Sequence, residues 1–97
     1  MKAFWNGHVV AESQNTIVVE GNHYFPPDDV NQELFLDSDH RTTCHWKGDA
    51  FYKHIKADGD MLENAAWYYP EPLEEAQKFG IQGYFAFWAG GGVAVYS

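Results

Sequence analysis

Short runs of β-branched or alternating apolar residues recur along the chain, and tight-turn dipeptides separate them. Lys2 to Trp5 and His8 to Ala11 flank Asn6-Gly7, the dipeptide that best accepts the positive φ angles of a type I′ turn. The β-branched run Thr16 to Glu20 is followed by Gly21-Asn22, which predicts a second turn before a returning strand. The pattern therefore predicts that the chain opens as two β-hairpins.

The middle of the chain continues this β pattern after an interruption. Pro26-Pro27 ends the pairing because proline cannot donate to a strand ladder, and Asp37-Ser38-Asp39 is predicted as a loop. Ala50 to Lys56 and Glu63 to Tyr69 then predict a further hairpin around Asp58-Gly59. These two strands carry many of the aromatic side chains.

One segment changes from a strand period to a helical period. Pro72 stands at the first helical position, apolar residues follow at spacing i, i+3, i+6, and Gly80 lies just past the end. The spacing predicts one short helix near residues 72-79, about two turns long. Tyr84 to Trp88 and Val93 to Tyr96 then predict two closing strands.

These elements together predict a mainly β fold. Many short strands joined by tight turns, with one short helix, are typical of a small antiparallel barrel-like or two-sheet domain. The chain of 97 residues fits a single domain, residues 1-97, and burying roughly 60 to 65% of its unfolded surface gives one modest core.

The chemically densest stretch is Thr43-Cys44-His45-Trp46-Lys47-Gly48, which holds the only cysteine. If it is extended, side chains alternate, so Cys44 and Trp46 share one face and His45 and Lys47 share the other. We therefore expect Cys44 to pack inward beside Trp46, and Lys47 to reach solvent or a ligand anion. Nucleophilic catalysis by Cys44 is the alternative, but it requires an exposed thiol beside a base.

The charge balance limits the partners. A formal net charge of -8 with only six basic residues argues against nucleic acid and against an anionic membrane surface. No apolar run reaches the roughly 18 residues that a membrane span needs, and no apolar leader opens the chain. A lone cysteine is typical of a reducing compartment, so we expect a cytoplasmic location.

No metal site or cofactor is predicted from the sequence. His40 and His45 form one pair at H-x4-H spacing, but no closely spaced cysteine pair completes a zinc tetrahedron. Asp58-Gly59-Asp60 resembles part of a calcium loop whose other ligands are missing, and a hairpin tip explains it better.

Several ordered blocks resemble domain-of-unknown-function family 427, and they span much of the chain. The blocks are Asn6-Gly7, Ala11-Glu12-Ser13, Val19-Glu20-Gly21-Asn22-His23-Tyr24-Phe25-Pro26-Pro27, Thr43-Cys44-His45-Trp46-Lys47-Gly48 and Ala65-Ala66-Trp67-Tyr68-Tyr69-Pro70. The resemblance implies a compact β fold related to the β-tent architecture, in which two antiparallel sheets meet at an angle. His45 departs from the family pattern, which usually has a proline between Cys44 and Trp46.

The family that these blocks resemble also carries a nucleotidyltransferase label, which this sequence supports weakly. Asp37-Ser38-Asp39 and Asp58-Gly59-Asp60 are Asp-x-Asp triplets, but no Gly-Ser precedes either one to help hold a metal-bound nucleoside triphosphate. Whether the protein is an enzyme stays open at this point.

The blocks suggest a ligand cleft, because aromatic walls with a few convergent polar groups are typical of small-molecule sites. Trp46, Trp67, Tyr69 and Trp88 could floor such a pocket, although core packing is the commoner role of these side chains. The leading hypothesis is binding of a small polar or anionic ligand, and the alternative is a non-catalytic interaction module that self-associates through exposed strand edges. The predicted ligand-binding residues are Glu20, Asn22, Tyr24, Cys44, Trp46, Lys47, Trp67 and Tyr69.

Overall fold

The computed structural model describes residues 1–97, which form nine β-strands and one short α-helix. All strand pairings are antiparallel. Short 3-10 turns cover Pro27–Asp29, Gln32–Leu34 and Ala89–Gly91. The elements in chain order are β1 (Lys2–Trp5), β2 (His8–Glu12), β3 (Ile17–Val19), β4 (Asn22–Tyr24), β5 (Phe35–Cys44), β6 (Gly48–Ala57), β7 (Asp60–Tyr68), α1 (Glu74–Gln77), β8 (Phe85–Phe87) and β9 (Ala94–Tyr96).

Three antiparallel sheets make up two layers of the fold. The larger layer has the strand order β5-β6-β7-β8, and the β3-β4 hairpin joins its β8 edge through a bridge between Phe25 and Phe85. Each residue of this bridge donates its N–H to the other's carbonyl oxygen, with N···O distances of 2.8 and 2.9 Å. The smaller layer has the order β2-β1-β9. The mainly β prediction is confirmed, because the strands form several antiparallel sheets, and none of them closes into a barrel.

The tight turns of the hairpins each contain two consecutive residues with positive φ angles. Asn6-Gly7 adopts φ angles of 51° and 81°, and Asp58-Gly59 adopts 55° and 82°, as type I′ turns require. The second hairpin turns at Glu20-Gly21, with φ angles of 52° and 80°, and not at Gly21-Asn22. Asn22 pairs with Val19 and therefore belongs to β4, which leaves Glu20 at the tip of the hairpin.

Strand alternation gives the larger layer two different faces. One face carries Phe25, Ile55, Phe85 and Phe87, which pack against the smaller layer in a buried core that also includes Val10. The opposite face carries a second set of aromatic and apolar residues, and no sheet covers it. That second group comprises Val19, Tyr24, Ala50, Tyr69, Ile81 and Ala86, with Tyr52 and Trp67 packed against it.

Two β-bulges lie side by side on this layer. The pairing of β5 with β6 shifts between Asp37 and Arg41, so the prediction that Asp37-Ser38-Asp39 forms a loop is wrong. The pairing of β6 with β7 shifts near Asn64, whose φ of 52° is left-handed. The Ser38 hydroxyl joins the bulges, because its Oγ donates to Asn64 Oδ1 at 2.5 Å and accepts the His40 N–H at 3.0 Å. A bulge tolerates the turn-forming residues that suggested a loop.

The helix lies inside the predicted range of residues 72-79 but covers only Glu74–Gln77. It ends before Gly80, whose φ of 74° is the left-handed conformation that commonly terminates helices. The N–H of Leu73 donates to the carbonyl of Lys47 at 3.0 Å, which ties the start of the helix to the turn after β5.

A candidate ligand-binding cleft

A cavity of about 600 Å³ opens on the face of the larger layer that the smaller layer leaves uncovered. This volume falls in the range typical of small-molecule sites. Side chains from β4, β5, β6 and β7 line it, together with one residue from the turn after β5 and the residues that directly follow β7 and β8. The lining residues are Asn22, Tyr24, His40, Lys47, Tyr52, Glu63, Asn64, Trp67, Tyr69 and Trp88.

Aromatic rings form the walls of the cleft. Tyr52 and Trp67 are register partners on neighbouring strands, so their side chains stand side by side on the same face. The Trp67 indole N–H donates to the Tyr24 hydroxyl at 3.2 Å, and His40 packs edge-on against Tyr52 with ring centroids 4.6 Å apart. Trp88 is 46% exposed at the rim. A flat ligand would find extended π faces here.

The turn that carries Lys47 differs from the extended stretch predicted from the sequence. His45, Trp46 and Lys47 form a turn between β5 and β6, so simple alternation does not apply. Gly48 closes the turn with a φ of 110°, and a Cβ there would lie 3.2 Å from the Glu71 carbonyl oxygen, so glycine is needed. The turn directs Lys47 inward. The part of the expectation that places Lys47 in solvent is wrong, because its side chain is only 9% exposed, and its contact with a ligand anion stays a prediction.

Lys47 is a buried cation beside the cleft. Its side chain is only 9% exposed, and its Nζ donates to Glu20 Oε1 in an ion pair. The ammonium also lies 5.1 Å from the centre of the Trp46 ring and 5.7 Å from that of Tyr69. Burial acts to lower the pKa of Lys47, but the hydrogen bond to Glu20 and nearby negative charge outweigh it, and the pKa is raised. The side chain therefore stays protonated at neutral pH.

The hydrogen-bonding capacity of this ammonium is not used up. A lysine ammonium has three N–H donors and accepts nothing. Glu20 takes one donor, and Nζ forms no other hydrogen bond with the protein. A ligand acceptor in the cleft can engage the remaining donors.

Two buried tyrosines stand beside Lys47. Tyr24 is fully buried, and burial is the largest cause of its raised pKa, although the hydrogen bond from Trp67 acts in the opposite direction. Burial also raises the pKa of Tyr69 well above the ordinary tyrosine value. Both phenols are therefore neutral at physiological pH and add no negative charge to the cleft.

Five of the eight residues predicted to bind a ligand line the cleft, namely Asn22, Tyr24, Lys47, Trp67 and Tyr69. Glu20 contributes through its ion pair with Lys47. Cys44 is half-buried against the second aromatic group, so the expectation of an inward-packed thiol holds only in part. Trp46 packs edge-on against Phe79 with ring centroids 5.9 Å apart, outside the cleft.

Five further lining residues were absent from the predicted set. Trp88 is one of the aromatic residues that the sequence offers as a pocket floor. The other four depend on backbone features, because the bulges bring His40, Glu63 and Asn64 to the cleft, while Tyr52 takes its place from the cross-strand register with Trp67. The Asp and Ser residues around position 38 are the sequence signal for this bulge, because bulges and loops both accept turn-forming residues.

The Glu20–Lys47 pair yields an asymmetric stability prediction. We expect Glu20→Ala to lower the free energy of unfolding by about 1 to 3 kcal/mol, because it leaves a buried ammonium unpaired. Lys47→Met should change stability by less than about 1 kcal/mol, since it removes the buried charge itself and leaves the half-exposed Glu20 to water. Urea unfolding at pH 7 measures both variants. Equal losses would contradict this description of the pair.

The fold and the cleft define a class, a small antiparallel β domain with one aromatic-walled cleft and a buried lysine beside it. The profile of the family described as a domain of unknown function (DUF427) matches residues 1–96. The chain belongs to this family. Its short label refers to nucleotide transfer. A comparison with curated proteins finds no match.

No group of three or more His, Cys, Asp or Glu side chains is arranged to hold a metal ion. No helix has the length and apolar character that crossing a membrane would require.

Proposed function

We propose that this domain binds a small polar or anionic organic ligand in the cleft on the uncovered face of the larger layer. The observation that best supports this proposal is Lys47, a buried and protonated side chain whose ammonium retains free hydrogen-bond donors beside aromatic walls. Burying an ammonium costs free energy that one half-exposed carboxylate offsets incompletely. A ligand acceptor that reaches Lys47 would supply the missing hydrogen bonds. Ligand binding would then offset the remaining free-energy cost of burying this ammonium.

A nucleotidyltransferase activity, the family's label, has less support. Asp37 is held by Lys53, and this contact lowers the pKa of its carboxyl. In the other triplet, Asp58 lies 2.8 Å from the His8 ring and Asp60 accepts from Asn6. None of these aspartates lines the cleft.

An interaction module is the second candidate, and exposed apolar residues such as Val18 and Leu36 are its support. Yet the longest free edge, β5, carries a bulge together with Asp37, Asp39 and Arg41. Charges and bulges on an edge strand oppose pairing with another chain. The cleft therefore supports ligand binding better than the edges support self-association.

Calorimetric titration of a small series of ring compounds tests the proposal. The series is indole-3-acetate, indole-3-acetamide, indoxyl phosphate and tryptamine, which share a flat ring and differ in charge. We expect at least one of them to bind, and Trp67→Leu to weaken that binding by about tenfold or more through lost ring contact.

The matched control is Trp5→Leu, which alters a tryptophan of the smaller layer that does not line the cleft. This variant should bind like the unmodified protein, with folding of both variants checked by circular dichroism. Equal weakening by the two substitutions, or no binding by any member of the series, would reject the cleft as a ligand site.

A further inference from the structure

The charges around the cleft restrict which ligands it can accept. Only one lining residue, Lys47, carries a fixed positive charge, and the lining also contains the carboxylate of Glu63. Glu20 already pairs with the lysine, and the whole chain has a net charge of -8. A polyanion such as a nucleoside triphosphate would meet one shared cation within a negative field. Multiple phosphate charges are therefore disfavoured.

The free donors of Lys47 favour an oxygen acceptor with a single negative charge. A charge-assisted hydrogen bond from an ammonium to a carboxylate is roughly twice as strong as a neutral one. It gains further where water is excluded, and the Lys47 side chain is 9% exposed. A cationic ligand group at this position would instead face the ammonium directly.

The walls favour a flat ring attached to that acceptor. Tyr52 and Trp67 stand side by side along one wall, and Trp88 stands at the rim. The Tyr24 hydroxyl accepts from Trp67, so the indole is held in place before any ligand arrives. A preorganised wall lowers the entropy cost of binding a rigid ring.

We propose that the ligand of this cleft is a ring-bearing monocarboxylate, whose carboxylate accepts from Lys47 while its flat ring packs against Tyr52 and Trp67. This inference rests on the proposed function and names the ligand class for the same site. It also assigns roles within the site: Lys47 selects the carboxylate, and Glu20 holds the ammonium in position.

The four indole compounds separate the ligand classes when they are titrated into the unmodified protein. We expect indole-3-acetate to bind at least about tenfold more tightly than indole-3-acetamide, indoxyl phosphate or tryptamine. Lys47→Met should abolish this preference, so that indole-3-acetate and indole-3-acetamide bind the variant with about equal affinity. The acetate loses its cationic partner, whereas the amide does not need one. Lys78→Met, which removes an exposed lysine beyond α1, should leave the preference intact.

Glu20→Gln provides a second, independent test that leaves Lys47 unchanged. The glutamine amide oxygen can still accept from Lys47 Nζ, so this variant keeps the ammonium in position and removes only the competing negative charge. Loss of that charge should tighten acetate binding several-fold and leave acetamide binding unchanged. Weaker acetate binding by this variant would overturn the assigned roles.

The remaining outcomes distinguish the two proposals. Suppose that indole-3-acetamide, indoxyl phosphate or tryptamine binds most tightly and that Trp67→Leu weakens this binding. The monocarboxylate class is then wrong, while the cleft remains a ligand site. If an acetate preference survives Lys47→Met, Lys47 does not select the carboxylate. If none of the four binds, both the ligand class and the proposed function fail.

Discussion

Phe25→Ala is expected to lower the free energy of unfolding by about 3 to 5 kcal/mol, the usual cost of removing a large ring from a core. Phe25 is fully buried, and its ring packs edge-on against Phe87 with centroids 5.5 Å apart. Its backbone also forms the bridge that joins β4 to β8. The cavity would open where the β3-β4 hairpin attaches. Loss of this attachment would displace Tyr24 and Asn22 from the cleft.

Urea unfolding followed by circular dichroism measures the loss. Since a domain of this kind has only about 5 to 15 kcal/mol of stability, a milder variant is also useful. Phe25→Leu should cost about 1 to 2 kcal/mol and remain folded. Phe79→Ala is the matched control, because Phe79 is 39% exposed and should cost about 1 kcal/mol or less. Equal losses for Phe25→Ala and Phe79→Ala would show that the bridge region is not part of the stabilising core.

Alkaline pH is expected to destabilise the domain steeply, through the residues beside the cleft. The pKa values of Tyr24, Tyr69 and Lys47 are all raised above their ordinary values of 10.0, 10.0 and 10.5. The native state therefore holds these protons more tightly than the unfolded chain does. The protonated forms contribute full stability below about pH 10, and that contribution is lost as the pH rises from there through the native pKa values.

Tyr69→Phe isolates this effect, because it removes one of the three titrating groups and keeps the buried ring. Each such group adds up to about 1.4 kcal/mol per pH unit to the decline, so the variant should lose stability less steeply between pH 10 and pH 11. Tyr96→Phe, at an exposed position of β9, should follow the unmodified protein. Urea unfolding at half-unit pH steps supplies the curves. A Tyr69→Phe curve parallel to that of the unmodified protein would contradict the role of burial.

Much of the fold could be predicted because local chemistry determines it. Asn6-Gly7 and Asp58-Gly59 accept two consecutive positive φ angles, so both turns fall where the sequence places them. Glu20-Gly21 escaped prediction because a glutamate rarely adopts a φ of 52°. Its placement follows from the pairing of Val19 with Asn22, which is a tertiary property of the hairpin.

The cleft was harder to predict because bulges alter the alternation on which the prediction relied. The blocks that resemble the family supply Tyr24, Trp67 and Tyr69 as candidates, and all three line the cavity. The alternation of side chains along a strand does not predict the direction of Lys47, because the chain turns there. Gly48 then contacts the segment before α1. The alternation fails again at His40 and Asn64, because each bulge changes which face the following residues occupy.

The central claim is that the aromatic cleft beside Lys47 is a binding site, and the indole N–H signals of the four tryptophans test it most directly. Trp67 and Trp88 line the cleft, while Trp5 lies in the smaller layer. In a two-dimensional ¹H–¹⁵N NMR titration with indole-3-acetate, we expect the Trp67 and Trp88 signals to shift saturably and the Trp5 signal to stay fixed. Saturable shifts confined to Trp5, or no saturable shift at Trp67, would contradict the claim.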